Sequence, residues 1–275
     1  LIYKVLYNHR VKIVFEMHGW SWYETHGKLS LPRRIIFLSL DFLGLWTATR
    51  VIAVSNTERK FLLKKTLRRR RLVTVWDPVD FLMDYKSLPP SPTVKVGYIG
   101  NSERWQGLEH IITAAKLLEI NPNIKFSLAG FNSDDHNRFP KLKNITYVGR
   151  VERQDVPTFL QGCDLLISSR LREPVSDLQF PHKLSEYLAV GRPVITSAAS
   201  DQPFVIKEAK CGIVVAPVNG DTIAIAISEF AALSNQERVR WGKNAREFCK
   251  NNLHVKVFAE KLKRVYFPLM NGYEI

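Results

Sequence analysis

The last two thirds of the chain alternate short apolar runs with helical stretches, and this alternation most constrains the fold. From Val94 onward the pattern predicts six buried strands with four helices between them. The strands are predicted at 94–99, 124–129, 145–148, 164–168, 193–196 and 212–215, and the helices at 107–119, 153–162, 182–190 and 201–209. Strands that alternate with helices form parallel βαβ units. This part of the chain is therefore predicted to be a complete Rossmann-like, doubly wound α/β domain.

The first 90 residues show the same alternation in a shorter form. Strands are predicted at 12–17, 50–55 and 72–75, and helices at 31–49 and 56–67. The chain starts at Leu1 without a methionine, and its first ten residues are typical of the end of an amphipathic helix, so we expect a fragment whose first domain is incomplete. The proline-rich stretch 88–92 predicts a linker, because proline disfavours both helix and inner strand. Three closing helices are predicted at 221–233, 236–251 and 254–266.

The charge balance attracts anions, with 40 basic residues against 26 acidic ones and a formal net charge of +14. Nucleic acid, anionic lipid and phosphorylated sugars are therefore candidate partners. No recognised nucleic-acid module or stacking platform accompanies the charge, so nucleic acid is disfavoured. Much of the excess lies between Arg59 and Arg71, interleaved with leucine and phenylalanine. This stretch fits a helix on an acidic membrane surface and a solvated helix end equally well.

Several patterns bear on the compartment. No apolar run approaches the roughly 20 residues that a membrane-spanning helix needs, and the longest, 35–46, is broken by Asp41. No secretion signal is visible at the N-terminus. Cys163, Cys211 and Cys249 are far apart and lack metal-ligand spacing. We therefore expect a cytoplasmic protein with free thiols, without a metal site, and bound at most peripherally to the inner face of the cell membrane.

The segment 180–195 predicts a helix whose first turn is suited to an anion. Pro181 fits the first helical position, since its missing N–H would be unpaired there. The free N–H groups of a first turn and the positive end of the helix dipole favour a phosphate. Lys183 and Glu186 are three residues apart and share one face, so the cation could neutralise a phosphate while the carboxylate binds sugar hydroxyls. An exposed helical ion pair is the alternative interpretation.

Ligands of open parallel sheets bind beyond the carboxyl ends of the strands, so the residues that follow each predicted strand are candidates. Gly100 and Gly107 bracket a loop in which backbone could approach a diphosphate, and Arg104 could supply a fork of donors. His18 follows the first predicted strand, and it could be either functional or structural. Trp20, Trp22 and Tyr23 beside it are explained most simply by packing.

The same segment, 180–195, resembles the signature P-x-K-L-x-E-Y-L-A-x-G-x-P-V-I of family 4 glycosyltransferases. These are retaining enzymes that use nucleotide sugars and have the GT-B fold, two Rossmann-like domains that face each other across a cleft. Further stretches resemble the family in the same order along the chain, so the resemblance covers nearly all of it. They are 94–100 with 105–109, 124–130, 145–151 and 155–168.

The resemblance implies roles for particular residues. Lys183 would lie along the pyrophosphate, Glu186 would bind the ribose, and His18 would lie near the transferred sugar. With Arg104 on the diphosphate, these are the candidate catalytic residues. The donor-binding residues would be Gly100, Asn101, Gly107, Gly130, Gly149, Arg150, Val151, Pro181, His182 and Leu184. The resemblance further implies an acceptor-side domain at 1–90, a donor-binding domain at 91–253, and a segment 254–275 that packs back toward the first domain.

The chain departs from the family pattern at three positions. Asn101 and Gln106 stand where the family often has an arginine and a lysine, so two cations beside the leaving diphosphate are missing. Leu178 stands eight residues before Glu186, where the family commonly has a second glutamate. Losing such charge stabilisation commonly costs about 3 kcal/mol of barrier, which leaves activity open. Arg104, Arg150, Arg172 and Lys183 are the basic residues that could compensate.

These observations predict a retaining glycosyltransferase that acts on a nucleoside-diphosphate sugar, with a glycan or a lipid-linked molecule as acceptor and an anionic membrane surface as a further partner. No cofactor is expected besides the donor substrate. Two alternatives stay open. One is a non-catalytic nucleotide-sugar-binding or membrane-binding module of the same fold, and the other is a sugar-nucleotide epimerase.

Overall fold

The computed structural model describes residues 11–66, 71–87, 89, 91–131 and 139–270. The strands are β1 (Val14–Met17), β2 (Arg50–Ala53), β3 (Leu72–Thr74), β4 (Val94–Ile99), β5 (Ile124–Ala129), β6 (Ile145–Gly149), β7 (Leu165–Ser168), β8 (Val194–Ser197) and β9 (Gly212–Val215). The helices are α1 (Ser21–Glu24), α2 (Leu31–Thr47), α3 (Asn56–Leu63), α4 (Leu108–Leu117), α5 (Val156–Gln161), α6 (Pro174–Leu178), α7 (His182–Ala189), α8 (Gln202–Ala209), α9 (Gly220–Ala232), α10 (Asn235–Asn252) and α11 (Val255–Met270), with a 3₁₀ helix at Arg104–Gln106.

The strand predictions are confirmed, since each predicted strand is present and its ends differ from the prediction by two residues at most. The short helices α1 and α6 and the 3₁₀ turn were not predicted, because segments of three to five residues carry too little periodicity. Pro181 does not occupy the first helical position: it is the N-cap of α7, with extended backbone, and His182 begins the helix. The predicted helix end in the first ten residues and most of the cluster Arg68–Arg71 lie outside the described residues.

The chain divides into two compact units. The first comprises the described residues up to Asp77, the segment Glu173–Phe180 and the described residues from Lys256 onward. The second comprises Pro78–Arg172 and Pro181–Val255. The division after Asp77 differs from the predicted boundary at 90/91. Its cause is local, because Val79 already exchanges backbone hydrogen bonds of 2.9 and 3.0 Å with Leu253 and Val255 of the second unit.

The first unit contains a parallel sheet in the order β1-β2-β3. Its main core includes Met17, Trp20, Leu45 and Leu62, all nearly inaccessible to solvent. On β2, Ile52 packs instead in a second cluster with Val265 of α11. The last helix therefore shares a core with the N-terminal strands.

The second unit contains a parallel six-stranded sheet in the order β6-β5-β4-β7-β8-β9. Counted in chain order within the sheet this is 3-2-1-4-5-6, the Rossmann order, and the direction of winding reverses between β4 and β7. Strands β4 and β5 form one hydrophobic core with helices α4 and α9. The predicted doubly wound α/β domain is therefore confirmed, and its ligand site is expected where β4 and β7 end.

Candidate functional site

The site lies in the second unit, at the point where the direction of winding reverses. The loops that follow β4 and β7 are tied together there. Ser169 Oγ donates a bifurcated hydrogen bond to the carbonyl oxygens of Gln106 (3.0 Å) and Gly107 (3.1 Å), and Leu171 N–H donates to the Trp105 carbonyl at 2.9 Å. The two loops therefore form one preorganised wall, as a binding site on a rigid sheet requires.

Two glycines let backbone segments approach each other closely at this wall. Gly107 has φ +67°, and a Cβ there would overlap the Ser169 carbonyl oxygen. Gly130 has φ +97°, and a Cβ there would overlap the Gly100 carbonyl oxygen. Gly130 N–H also donates to the Gly149 carbonyl at 2.7 Å, which joins the ends of β5 and β6. The predicted set Gly100, Gly107, Gly130 and Gly149 thus lines one edge of the sheet.

Lys183 in the first turn of α7 points to this edge. Its Nζ donates to Gln106 Oε1 at 2.7 Å and lies 4.2 Å from the centre of the Tyr98 ring. Gly100 leaves the space for it, because a Cβ there would be 2.5 Å from Nζ. The Lys183 hydrogen bond goes to Gln106 and not to Glu186, so the interpretation of an exposed Lys183–Glu186 ion pair is wrong.

The ammonium group of Lys183 is held in unfavourable surroundings. Its pKa is lowered to about 7: burial is the largest cause, the positive charge of Arg170 acts in the same direction, and Glu186 partly opposes both effects. Arg170 is 2% exposed, and its guanidinium lies 4.9 Å from the centre of the Trp105 ring. Two basic groups that repel each other are thus brought together at the ends of β4 and β7, an arrangement that an anion would relieve.

Arg170 was missed at the sequence level. It is the second residue after β7 and follows Ser169, which ties the two loops, so it stands at a position that the strand-end rule marks. Arg172, two residues further along, was named instead. The inward turn of the Arg170 side chain against Trp105 is seen only in the structure.

Glu186 lies one turn further along α7 and lines a cavity of about 630 Å³. The other lining residues are Asp80, Phe81, Glu152, Arg153, Gln154 and Pro157. Burial raises the pKa of Glu186, while the neighbouring charges of His182, Lys183 and Arg153 lower it. The predicted hydroxyl-binding carboxylate therefore faces a space large enough for a ligand group.

The other predicted donor-binding residues differ in what they can offer. Asn101 and Arg104 are exposed on the loop after β4. Arg150 is exposed and lies 3.8 Å from Glu152, and Val151 is partly buried next to it. These residues lie on the loops that follow β4 and β6, at the edge of the sheet where ligands of such folds bind.

Two of the predicted donor-binding residues in and before the first turn of α7, Pro181 and Leu184, are buried. His182 is exposed, but Leu184 is completely buried and its N–H donates to the Pro181 carbonyl at 2.9 Å. The Leu184 side chain and amide both face away from the ligand space, so the geometry does not support the prediction that Leu184 binds the donor. Pro181 is itself buried, and its carbonyl is taken by this hydrogen bond.

His18 belongs to the first unit, where it follows β1. Its Nε2 lies 3.3 Å from Glu16 Oε1 and its Nδ1 lies 3.9 Å from Asp77 Oδ1. Glu16, His18 and Asp77 together form a group that could hold a metal ion, with ligand atoms within 4.8 Å of one another. This group is not visible in the sequence, because Asp77 lies far along the chain from His18 and the parallel sheet brings the two residues together.

A buried carboxyl group holds the loop that carries His18 through hydrogen bonds. Glu58, on α3, accepts hydrogen bonds from Gly19 N–H at 2.6 Å and from Val54 N–H at 2.8 Å. Burial raises the pKa of Glu58 to about 8. Gly19 has φ +136°, and a Cβ there would overlap the Glu24 carboxylate.

Comparison with known proteins identifies sequence relatives of this chain. The chain is 26% identical over 185 residues to spore coat protein SA of Bacillus subtilis, covering 62% of this chain and 47% of that protein. It is 19% identical over 253 residues to the uncharacterized glycosyltransferase MJ1069 of Methanocaldococcus jannaschii, covering 86% and 61%. The chain thus spans about half to three fifths of these relatives.

Solved structures show the same fold. The sucrose-phosphate synthase of Thermosynechococcus elongatus superposes with a TM-score of 0.74 at 19% identity, covering 94% of this chain and 68% of that one. The Anabaena protein Alr3699/HepE, solved in complex with UDP, superposes with a TM-score of 0.73 at 17% identity, covering 93% and 72%. The fold is therefore of the GT-B type.

The family is shown by a family model described as "Glycosyl transferases group 1", which matches residues 83–248 and so most of the second unit. The match includes both loops of the site, Lys183 and Glu186. The chain belongs to the group 1 glycosyl transferases.

Proposed function

We propose that the protein transfers a sugar from a nucleoside-diphosphate sugar to a glycan or lipid-linked acceptor with retention of anomeric configuration, as a family 4 enzyme. The observation that carries the proposal is the pair Lys183 and Arg170 at the reversal point of a Rossmann sheet, next to the first turn of α7. Membership of the group 1 family and the UDP complex of the Anabaena protein support it.

In this proposal the leaving diphosphate is stabilised mainly by electrostatics. Charge develops on the diphosphate as the bond to the sugar breaks, and fixed cations in a site that excludes water stabilise that charge. Lys183, Arg170 and the exposed Arg104 would supply the positive charge. Asn101 and Gln106 offer amides, and Gln106 accepts the Lys183 hydrogen bond, so it holds the ammonium group in position.

The remaining roles follow the ligand outward from the diphosphate. Glu186 would accept hydrogen bonds from the ribose hydroxyls in the cavity that it lines, and the Gly149–Val151 backbone would meet the base. His18 would lie near the transferred sugar, as the sequence resemblance implies. The proposed transfer uses no metal or cofactor.

Calorimetry of the intact chain with UDP-, GDP- and ADP-sugars tests donor binding. Lys183→Ala and Glu186→Ala should each weaken binding about tenfold or more, since each removes a charge-assisted contact. The matched controls Lys125→Ala and Glu229→Ala change exposed residues of the same unit and should bind normally. If no nucleotide sugar binds to the folded chain, the proposal fails.

Transfer itself needs a separate measurement. NMR of the product formed from an α-linked donor should show an α-linkage, which is the signature of retention. A β-linked product would contradict the retaining mechanism while leaving donor binding intact.

A non-catalytic nucleotide-sugar-binding module is the second candidate. It is favoured by the amides Asn101 and Gln106 at positions where the family often has cations. It predicts donor binding without transfer or hydrolysis, even when the longer gene product is supplied. An epimerase would instead release an altered nucleotide sugar in the absence of acceptor, and product analysis separates these outcomes.

We further propose that the protein acts at the cytoplasmic face of the cell membrane. Within the described residues no helix is long and apolar enough to cross a bilayer.

A further inference from the structure

Helix α2 of the first unit exposes an unusually apolar surface. Large apolar side chains on the helix are exposed by more than a third of their area, with Trp46 at 66%, Ile36 at 59% and Leu31 at 57%. The full set is Leu31, Ile35, Ile36, Phe37, Leu40, Phe42, Leu43 and Trp46. Single exposed apolar residues are ordinary, but eight on one helix form a contiguous patch of the kind that marks an interaction surface.

The opposite side of α2 explains why this surface faces outward. The Asp41 carboxylate accepts two hydrogen bonds of 2.9 Å from the N–H and the hydroxyl of Ser21. Gly44 lies directly against the ring of Phe15, and Leu45 is buried in the core. One face of the helix is thus packed against the rest of the first unit. Asp41, which appeared in the sequence to interrupt the apolar run, points inward and leaves the outer surface without a negative charge.

Basic side chains border the apolar surface. On α2, Arg33 is exposed and Asp41 faces inward, whereas the Arg34 guanidinium lies 4.0 Å from the centre of the Trp22 ring and donates to the Trp22 carbonyl at 3.0 Å. Lys64 and Lys65, just after α3, are exposed. Lys65 also lines, with Phe42, Leu43 and Trp46, a groove of about 620 Å³. The surface therefore combines apolar area, an exposed tryptophan and positive charge.

We propose that the outer face of α2 docks on an anionic lipid bilayer, with the helix lying in the plane of the interface. Apolar side chains would enter the boundary between headgroups and acyl chains, Trp46 would lie at headgroup level, and the exposed Arg33, Lys64 and Lys65 would bind acidic headgroups. The docking face lies wholly in the first unit, so the proposal does not depend on the donor site.

Charge decides between a bilayer and a second copy of this chain. Two copies joined through this face would bring their own basic borders together, and like charges at an interface oppose association. A bilayer with acidic headgroups offers the opposite charge. A bilayer also accepts a convex apolar helix without a complementary groove.

The test is cosedimentation of the full chain with phosphatidylcholine vesicles with and without about 30% phosphatidylglycerol. We expect binding to the anionic vesicles that weakens with salt. The double variant Ile36→Glu/Leu40→Glu adds charge on one stripe of exposed positions and should reduce the partition coefficient about tenfold or more. The matched control Ile120→Glu/Ile225→Glu changes two isolated exposed residues, at 92% and 58% exposure, and should bind as the unmodified chain does.

Fluorescence locates the contact. Lipids brominated at the headgroup end of the acyl chain quench tryptophan that lies at the interface, and Trp46→Phe should remove most of the quenching. Equal quenching without Trp46, unchanged binding of the double variant, or no binding to anionic vesicles at low salt would each overturn the proposal. A concentration-dependent dimer that the double variant abolishes, without vesicle binding, would assign the face to a second copy instead.

Discussion

Donor binding should take up a proton at Lys183. Burial and Arg170 lower the pKa of Lys183 to about 7 in the free protein, so above neutral pH its amine is mostly uncharged. A diphosphate bound beside it would favour the ammonium form and raise that pKa. The affinity for a nucleotide sugar should therefore fall as the pH rises above 7.

The magnitude follows from the free-state pKa. If only the protonated form binds, the apparent Kd is multiplied by 1 + 10^(pH − pKa), which is about 1.3 at pH 6.5 and about 33 at pH 8.5. The expected loss of affinity across this range is about 25-fold, or about 1.9 kcal/mol. The pyrophosphate of a nucleotide sugar carries no terminal phosphate monoester, which removes the titration that UDP itself would add near pH 6.

Calorimetry at both pH values, in two buffers of different ionisation enthalpy, measures the affinity and the proton uptake together. At pH 8 the uptake should be about 0.9 proton per site. Lys183→Arg keeps a charge that does not titrate in this range, so its profile should be flat. Gln106→Leu removes the hydrogen-bond acceptor of the ammonium group and should move the profile to lower pH.

The other titratable groups that act on Lys183 and its neighbours are accounted for in this assay. Arg170 stays charged throughout, and burial raises the pKa values of Tyr98 and Tyr187 above the range tested. Burial raises the pKa of Glu186 as well, and the Lys183→Arg profile separates the titration of Glu186 from that of Lys183. A Kd that is constant between pH 6.5 and 8.5, with no proton uptake, would refute the assignment of Lys183 to the diphosphate.

Three further outcomes are expected. Arg170→Met should weaken donor binding about tenfold and shift the pH midpoint of binding upward, because a repelling charge beside Lys183 is removed; an unchanged midpoint in calorimetry would contradict the contact. Gly107→Ala should lower the free energy of unfolding by about 1–3 kcal/mol in urea denaturation, since the new Cβ meets the Ser169 carbonyl at a positive φ, and an unaffected midpoint would be inconsistent with the described loop. Glu58 is protonated in the folded state up to about pH 8 but ionises near pH 4.5 when unfolded, so stability should decrease as the pH rises from 5 to 8, and Glu58→Gln should flatten that slope in pH-dependent denaturation.

The strands were predictable because each is a short apolar run bounded by polar residues, and burial on both faces of a parallel sheet requires that pattern. The doubly wound parallel sheet was predictable from the alternation of strands and helices, but the strand order is seen only in the structure. The boundary between the two units was not predictable from the sequence. Proline marks where regular structure stops, at 88–92, but membership of a unit is decided by hydrogen bonds such as those of Val79, which link residues far apart in sequence.

The site was predictable where a residue's position along an element fixes its direction. Lys183 and Glu186 lie on one face of α7 by helical spacing alone, and the strand-end glycines follow from the sheet. Leu184 illustrates the limit, because a residue between two site residues on a helix points to the core. Side-chain direction in irregular loops carries no periodic signal, which is why Arg172 was named and the inward-turning Arg170 was not.

The position of Arg170 also changes how the departures from the family pattern are interpreted. A lysine at position 106 would place a second ammonium group about where Gln106 Oε1 now accepts from Lys183, with Arg170 already beside it. Three cations packed together before ligand binding would repel strongly in a partly buried site. An amide at position 106 instead accepts the Lys183 hydrogen bond and stabilises its charged form. The missing cation at 106 and the buried arginine after β7 are thus mutually compatible, and the pocket retains positive charge in a different place.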